Sequence, residues 1–176
     1  MSLLAAACPA AAASGLAELP PALAALTLAR KPLLEPLATY RDAKGKRHAF
    51  SELHGRYVLL NLWATWCASC AREMPALARL QSALPENRFR VIALAMSDGK
   101  PGAYEAIRRF LESHGGRKLG VAIGSDIAFE PKLHVLGLPT TILLDRNGQE
   151  IARAQGAMAW DKPDAISYFR KLLTAQ

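Results

Sequence analysis

Two cysteines separated by two residues, Cys67 and Cys70, stand where an apolar run gives way to a helical pattern, in the stretch VLLNLWATWCASCAREMP from Val58 to Pro75. A thiolate, unlike a thiol, attacks disulfides and binds soft metals, so the question is what surrounds the pair. The run from Val58 to Trp63 is almost wholly apolar and too short for a buried helix. It predicts a strand covered on both faces of a parallel or mixed sheet. Beyond the cysteines, Met74, Leu77, Leu80 and Leu84 recur at helical spacing. A helix running from about Cys70 to Leu84 would turn its free N–H groups and partial positive charge toward Cys67, favouring the thiolate there. Cys70, one turn further in, is placed to attack a mixed disulfide formed at Cys67. The chemistry expected is thiol–disulfide exchange with Cys67 as nucleophile.

A metal site is the main competitor. Zinc takes four ligands, and no second Cys-x-x-Cys or Cys/His pair supplies them. A copper site would combine the two cysteines with a distant histidine, for which His134 is the one candidate. No metal ligand set is assigned. The chain has 176 residues and three cysteines, too few for a disulfide-stapled scaffold. Its formal charge of +7, from 22 basic and 15 acidic residues, is scattered without a long basic run or interleaved aromatics. That pattern describes a solvated surface and gives no nucleic-acid partner.

The elements that must hold the dithiol follow from periodicity. Leu37–Tyr40 and Arg47–Phe50 flank a turn at Asp42–Gly45, a β-hairpin ahead of the central strand. Arg90–Met96 is a second buried strand, and Ala103–Ser113 a helix with Tyr104, Ile107 and Leu111 on one face, ended by Gly115-Gly116. Leu119–Ile123 is expected as a short strand and Ile127–Leu133 as a short helix. Thr140–Asp145 and Glu150–Gln155 form a hairpin about Asn147-Gly148, and Asp161–Thr174 is a final amphipathic helix. The order implies an α/β fold: a central mixed sheet flanked by helices, with an N-terminal β-hairpin and a central βα insertion.

WATWCASCAREMP resembles the active-site segment of thioredoxin-fold proteins, specifically the TlpA/ResA/DsbE (CcmG) group of exported reductases. The likeness includes Trp66 before the first cysteine, Glu73 three after the second and Pro75 five after it. Gly137-Leu138-Pro139-Thr140-Thr141 resembles the loop that carries the cis-proline of that fold. The resemblance implies that Pro139 is cis and stands opposite Cys67, with Leu138 backbone groups able to pair with an extended substrate segment. It implies that Trp66 covers the dithiol and offers an apolar contact, and that Pro75 kinks the first helix. Simple thioredoxins carry a buried acid where this chain has Asn61, which cannot titrate. Glu73, on the same side of the helix as Cys70, is the substitute acid/base that would take the proton from Cys70. Ser69 stands where many relatives have proline.

The resemblance further implies a protein-disulfide reductase with no dissociable cofactor beyond the Cys67–Cys70 redox disulfide. Partners of this group are disulfide-containing proteins of apocytochrome c or copper-chaperone type, with a membrane thiol transporter of DsbD/CcdA type as electron donor. A dithiol oxidase or isomerase is the alternative direction, and a copper metallochaperone the alternative class. Residues 1–15 are small and apolar and resemble the tail of a secretory signal, which fits a periplasmic protein, soluble or tethered to the inner membrane. Cys8 there has no assigned role. Residues 1–30, broken by Pro20-Pro21, are expected as signal remnant and a linker with one short helical turn, and residues 31–176 as the thioredoxin-like domain.

Overall fold

Strand β4 (Tyr57–Trp63) is the axis of the structure, a computed structural model that describes residues 19–28, 39–97, 99–124 and 135–175. Its side chains alternate as a pleated strand must: Val58, Leu60 and Leu62 enter one apolar cluster, Leu59 and Trp63 the other. Helix α1 (Ala68–Ala83) returns the chain to β5 (Phe89–Ala95), which pairs parallel with β4 in register Asn61↔Ala93. The stripe of Met74, Leu77, Leu80 and Leu84 is buried on the face that Leu59 and Trp63 share. Gln81 fixes α1 to β5, its side-chain oxygen accepting from Val91 N at 2.6 Å.

Helix α2 (Ala103–Ser113) and a 3₁₀ turn (Arg117–Leu119) lead to β6 (Ala122–Ile123), parallel to β5. The strand expected over 119–123 is thus shortened at its start, because Gly120 at φ 71° turns the chain there. Gly116 allows α2 to end against α1: a Cβ at that position would lie 3.0 Å from Leu111 Cδ2 and 3.3 Å from Met74 Cβ. β7 (Thr140–Leu144) runs antiparallel to β4, and β8 (Glu150–Gln155) antiparallel to β7. Helix α3 (Pro163–Thr174) closes the face that α1 occupies. The hairpin of β2 (Thr39–Asp42) and β3 (Arg47–Ala49) joins through β2, antiparallel to β6. With β1 (Thr27–Leu28) at one edge, the eight strands among the described residues lie in the order β1-β8-β7-β4-β5-β6-β2-β3. This is the mixed sheet of a thioredoxin fold, with the N-terminal hairpin and the βα insertion. The expected helix over 127–133, residues 1–15, Cys8 and His134 lie outside the described residues.

The N-terminal segment has the short helical turn expected in it but is packed rather than a free linker. Residues 21–23 form a 3₁₀ turn opened by Pro21, and Leu23 and Leu26 are buried in the core. Ala22 N donates to Asp164 Oδ2 at 3.1 Å, and β1 (Thr27–Leu28) pairs with β8. Proline breaks a long helix but suits the first position of a short turn, and burial of two leucines then outweighs the breaker signal. The packed domain therefore includes residues before the expected boundary at 31.

Leu23 is fully buried, so Leu23→Ala should cost ~2–5 kcal/mol by loss of transfer energy and cavity formation. Urea unfolding of the variant, and of a chain begun at residue 31, would measure it. Unchanged midpoints would show that the segment contributes nothing to the fold.

Candidate active site

Cys67 is the N-cap of α1, with extended backbone (φ −91°, ψ 101°) and its sulfur accepting from Cys70 N at 3.2 Å. A sulfur in this place takes a hydrogen bond from one of the N–H groups a helix start leaves open. Ser69 Oγ lies 3.4 Å from the same sulfur. Both contacts favour negative charge on Cys67 Sγ when the pair is reduced, joined by the positive end of α1. In the structure the two sulfurs are bonded to each other, with Cα atoms 5.3 Å apart. Cys67 and Cys70 are both buried, Cys70 completely. Cys67, the expected nucleophile, is thus the more accessible of the pair.

The loop before β7 comes alongside. The Leu138–Pro139 peptide is cis. Pairing of Thr140 with Leu62 carries Pro139 to the level of Trp63, at the end of β4 from which the cysteine loop departs. Pro139 O accepts from Gly156 N at 2.8 Å, and Thr140 Oγ1 donates to Gly137 O at 2.6 Å, so the loop is held on both sides. Between this loop and α2 lies a groove of about 630 Å³, lined by Trp66, Met96, Ile107, Leu136 and Leu138 among others. Trp66 is 78% exposed and Leu136 87%. Trp66 stands out at the groove rim.

Glu73 sits beneath, only 2% exposed. Its Oε2 accepts from Asn61 Nδ2 at 3.0 Å, and its Oε1 from Met158 N at 2.9 Å and from Trp160 Nε1. Asn61 Nδ2 also donates to Thr141 Oγ1 at 2.9 Å. Burial pushes the Glu73 carboxyl above its ordinary value, against these three hydrogen bonds, which favour the ionised form. Among the described residues, no group of three or more His, Cys, Asp or Glu side chains could hold a metal.

The structure brings together Trp66, Cys67, Cys70, Leu138 and Pro139 at one end of the sheet, and Asn61 with Glu73 below. Pro75 lies inside α1, where its missing N–H leaves Ala71 O without a helical partner. The sequence reading missed Thr141, Met158 and Trp160. Thr141 had a signal, being the direct cross-strand neighbour of Asn61 once β4 and β7 are paired. Trp160 had none, since the loop carrying it reaches Glu73 across 87 positions of chain.

The Redoxin family profile matches residues 30–169. The thiol-disulfide oxidoreductase ResA of Geobacillus kaustophilus is 32% identical over 61% of this chain, which covers 59% of that protein. ResA of Bacillus thuringiensis is 30% identical over 74% of this chain, covering 72% of that protein. A solved structure from Chlorobium tepidum, assigned as a thiol:disulfide interchange protein DsbE, superposes with TM-score 0.66 and 26% identity, covering 84% of this chain and 99% of its own. No helix among the described residues is long and apolar enough to cross a membrane.

A raised carboxyl affinity has a definite sign in stability. The folded state holds the Glu73 proton to higher pH than the unfolded chain, whose ordinary value is 4.5. That contribution is full below pH 4.5 and is lost as pH rises through the folded value. Glu73→Gln, which keeps an oxygen toward Met158 and Trp160, should remove this slope. Urea midpoints of both proteins between pH 4 and 8 would show a difference that changes with pH. A constant difference would mean that Glu73 is not raised.

Proposed function

The chain belongs to the redoxin family, among its ResA-like thiol–disulfide oxidoreductases, and from that premise we propose that it reduces disulfides in partner proteins through Cys67 and Cys70. The observation that carries the reading is Cys67 Sγ at the start of α1, 3.2 Å from Cys70 N, beside the cis Leu138–Pro139 peptide. In the reduced protein the Cys67 thiolate attacks a partner disulfide. A Cys67–partner bond forms, the partner's own bond breaks, and its leaving sulfur takes a proton from solvent. Cys70 then gives its proton to Glu73 and attacks Cys67 Sγ. The Cys67–Cys70 bond forms, the second partner sulfur leaves and is protonated, and two electrons have passed to the partner. No dissociable cofactor enters.

The partner segment lies extended along Leu138, while Trp66 and Leu136 give apolar contact beside the cysteine being attacked. The apolar, small-residue start of the chain supports export to the periplasm, soluble or membrane-tethered. There the substrates are apocytochrome c or copper-chaperone cysteines, and a membrane thiol transporter of DsbD/CcdA type restores the dithiol.

Two measurements test this. Equilibration with defined thiol/disulfide buffers should give a potential near that of a reductant such as thioredoxin, ~−270 mV. A value near ~−120 mV would mark an oxidant and reverse the proposed direction. In Cys70→Ala, a disulfide peptide should remain bound to Cys67 as a stable mixed disulfide detectable by mass. Its absence would overturn Cys67 as nucleophile.

A further inference from the structure

Glu73 is contacted in a way that decides which of its oxygens can take a proton. Oε1 faces Met158 N–H and Trp160 Nε1–H, two groups that donate and never accept. A proton on Oε1 would point at other protons. Among the described residues Oε2 accepts only from the Asn61 amide, through Nδ2 at 3.0 Å. The same Nδ2 uses its second hydrogen on Thr141 Oγ1 at 2.9 Å, while Asn61 Oδ1, fully buried, has no partner among the described residues. An amide so placed suits a carboxylate. It does not suit a carboxylic acid, whose O–H would meet an N–H.

A half-turn about the Asn61 side-chain torsion exchanges Oδ1 and Nδ2 with almost no change of shape. It would bring Oδ1 to face Glu73 Oε2–H and Thr141 Oγ1–H together, and the threonine hydroxyl, an acceptor before, becomes a donor. Each orientation leaves one amide group unpartnered, so neither is favoured by the rest of the core. We propose that the Asn61 amide is a two-position hydrogen-bond switch that places the proton leaving Cys70 on Glu73 Oε2 and turns as that proton arrives and departs. This rests on the reading of Glu73 as the acceptor. The balance is simple: the Cys70 S–H bond breaks, its electron pair stays on sulfur, and an O–H bond forms at Oε2. Asn61 and Thr141 are positioning residues and touch no sulfur in this scheme.

The groups in contact with the Glu73 carboxyl come from two other parts of the chain: Asn61 from β4, backed by Thr141 from β7, and Met158 and Trp160 from the loop before α3. Among the described residues no charged side chain acts on it; burial raises its proton affinity and the three hydrogen bonds lower it.

Reduced full-length protein carrying ¹³C at glutamate Cδ and ¹⁵N at asparagine side chains tests this by NMR titration, with Asn61→Leu and Glu73→Gln assigning the signals. The Asn61 amide signals should move with the Glu73 midpoint, and in Glu73→Gln they should hold their low-pH position throughout. Asn61→Leu should raise the Glu73 midpoint by about one pH unit, because the donor lost from the charged form is the stronger one. An Asn61 amide that stays fixed while Glu73 titrates, or an unmoved Glu73 midpoint in Asn61→Leu, overturns the switch. Single-turnover reduction of a disulfide peptide across pH tests the underlying reading separately. A rate profile that ignores the Glu73 midpoint removes Glu73 as acceptor, and NMR alone then decides the switch.

Discussion

A carboxyl group carried on α1 and closed off from water must find its hydrogen-bond donors elsewhere in the chain. Those that Glu73 receives come from β4 through Asn61 and from the loop before α3 through Met158 and Trp160. One buried oxygen pair therefore ties the central strand, the cysteine helix and the final helix's approach into one unit. Removing the side chain would leave three donors without acceptors in the core, a larger loss than the deletion of an apolar group of the same size. The same contacts fix the side of α1 that faces the sheet, and with it the level at which Cys67 and Cys70 stand. Core stability and site geometry are one arrangement here.

The sheet is arranged to keep that unit interior. β4 pairs on one side with β5 and on the other with β7, so it has no open edge, and its residues from Val58 to Trp63 are all buried. Short outer strands then occupy the sheet edges: β1 on β8 at one, the β2–β3 hairpin beyond β6 at the other. Short edge strands limit unwanted pairing with other chains. The apolar contact left open is concentrated instead at the site. Of the three large apolar side chains exposed among the described residues, Trp66 and Leu136 border the groove, and Leu28 lies on β1.

How much of this could be read from sequence follows the range of the interactions. Cys67, Cys70 and α1 were legible because their signals are local: a spacing, an apolar run and a 3.6-residue stripe. The helix start lies at Ala68 because Cys67 itself serves as the cap, a role its sulfur takes only once the chain is folded there. Asn61 and Glu73 were legible as a pair, since one stands where an acid is expected and the other one turn past the dithiol. Trp160 was not, because its contact depends on a loop conformation with no periodicity. Leu23 was misplaced for a different reason: two adjacent prolines argue locally against structure, and the burial that overrides them is a tertiary effect.

The division of labour between positions 61 and 73 has a physical consequence. Two carboxyls at these places, 3.0 Å apart, would share one proton and titrate as a coupled pair with widely separated steps. An amide at 61 leaves one titrating group, whose affinity is set by burial on one side and three donors on the other. Cys67 carries its own stabilising contacts, Cys70 N and Ser69 Oγ, neither of which is among the hydrogen-bond partners of that carboxyl. In the proposed mechanism the attacking sulfur is thus tuned by α1's first turn and the resolving sulfur by the core below it. On that proposal the two can be adjusted separately, the first step through Ser69 beside Cys67 Sγ and the second through Asn61 beside Glu73.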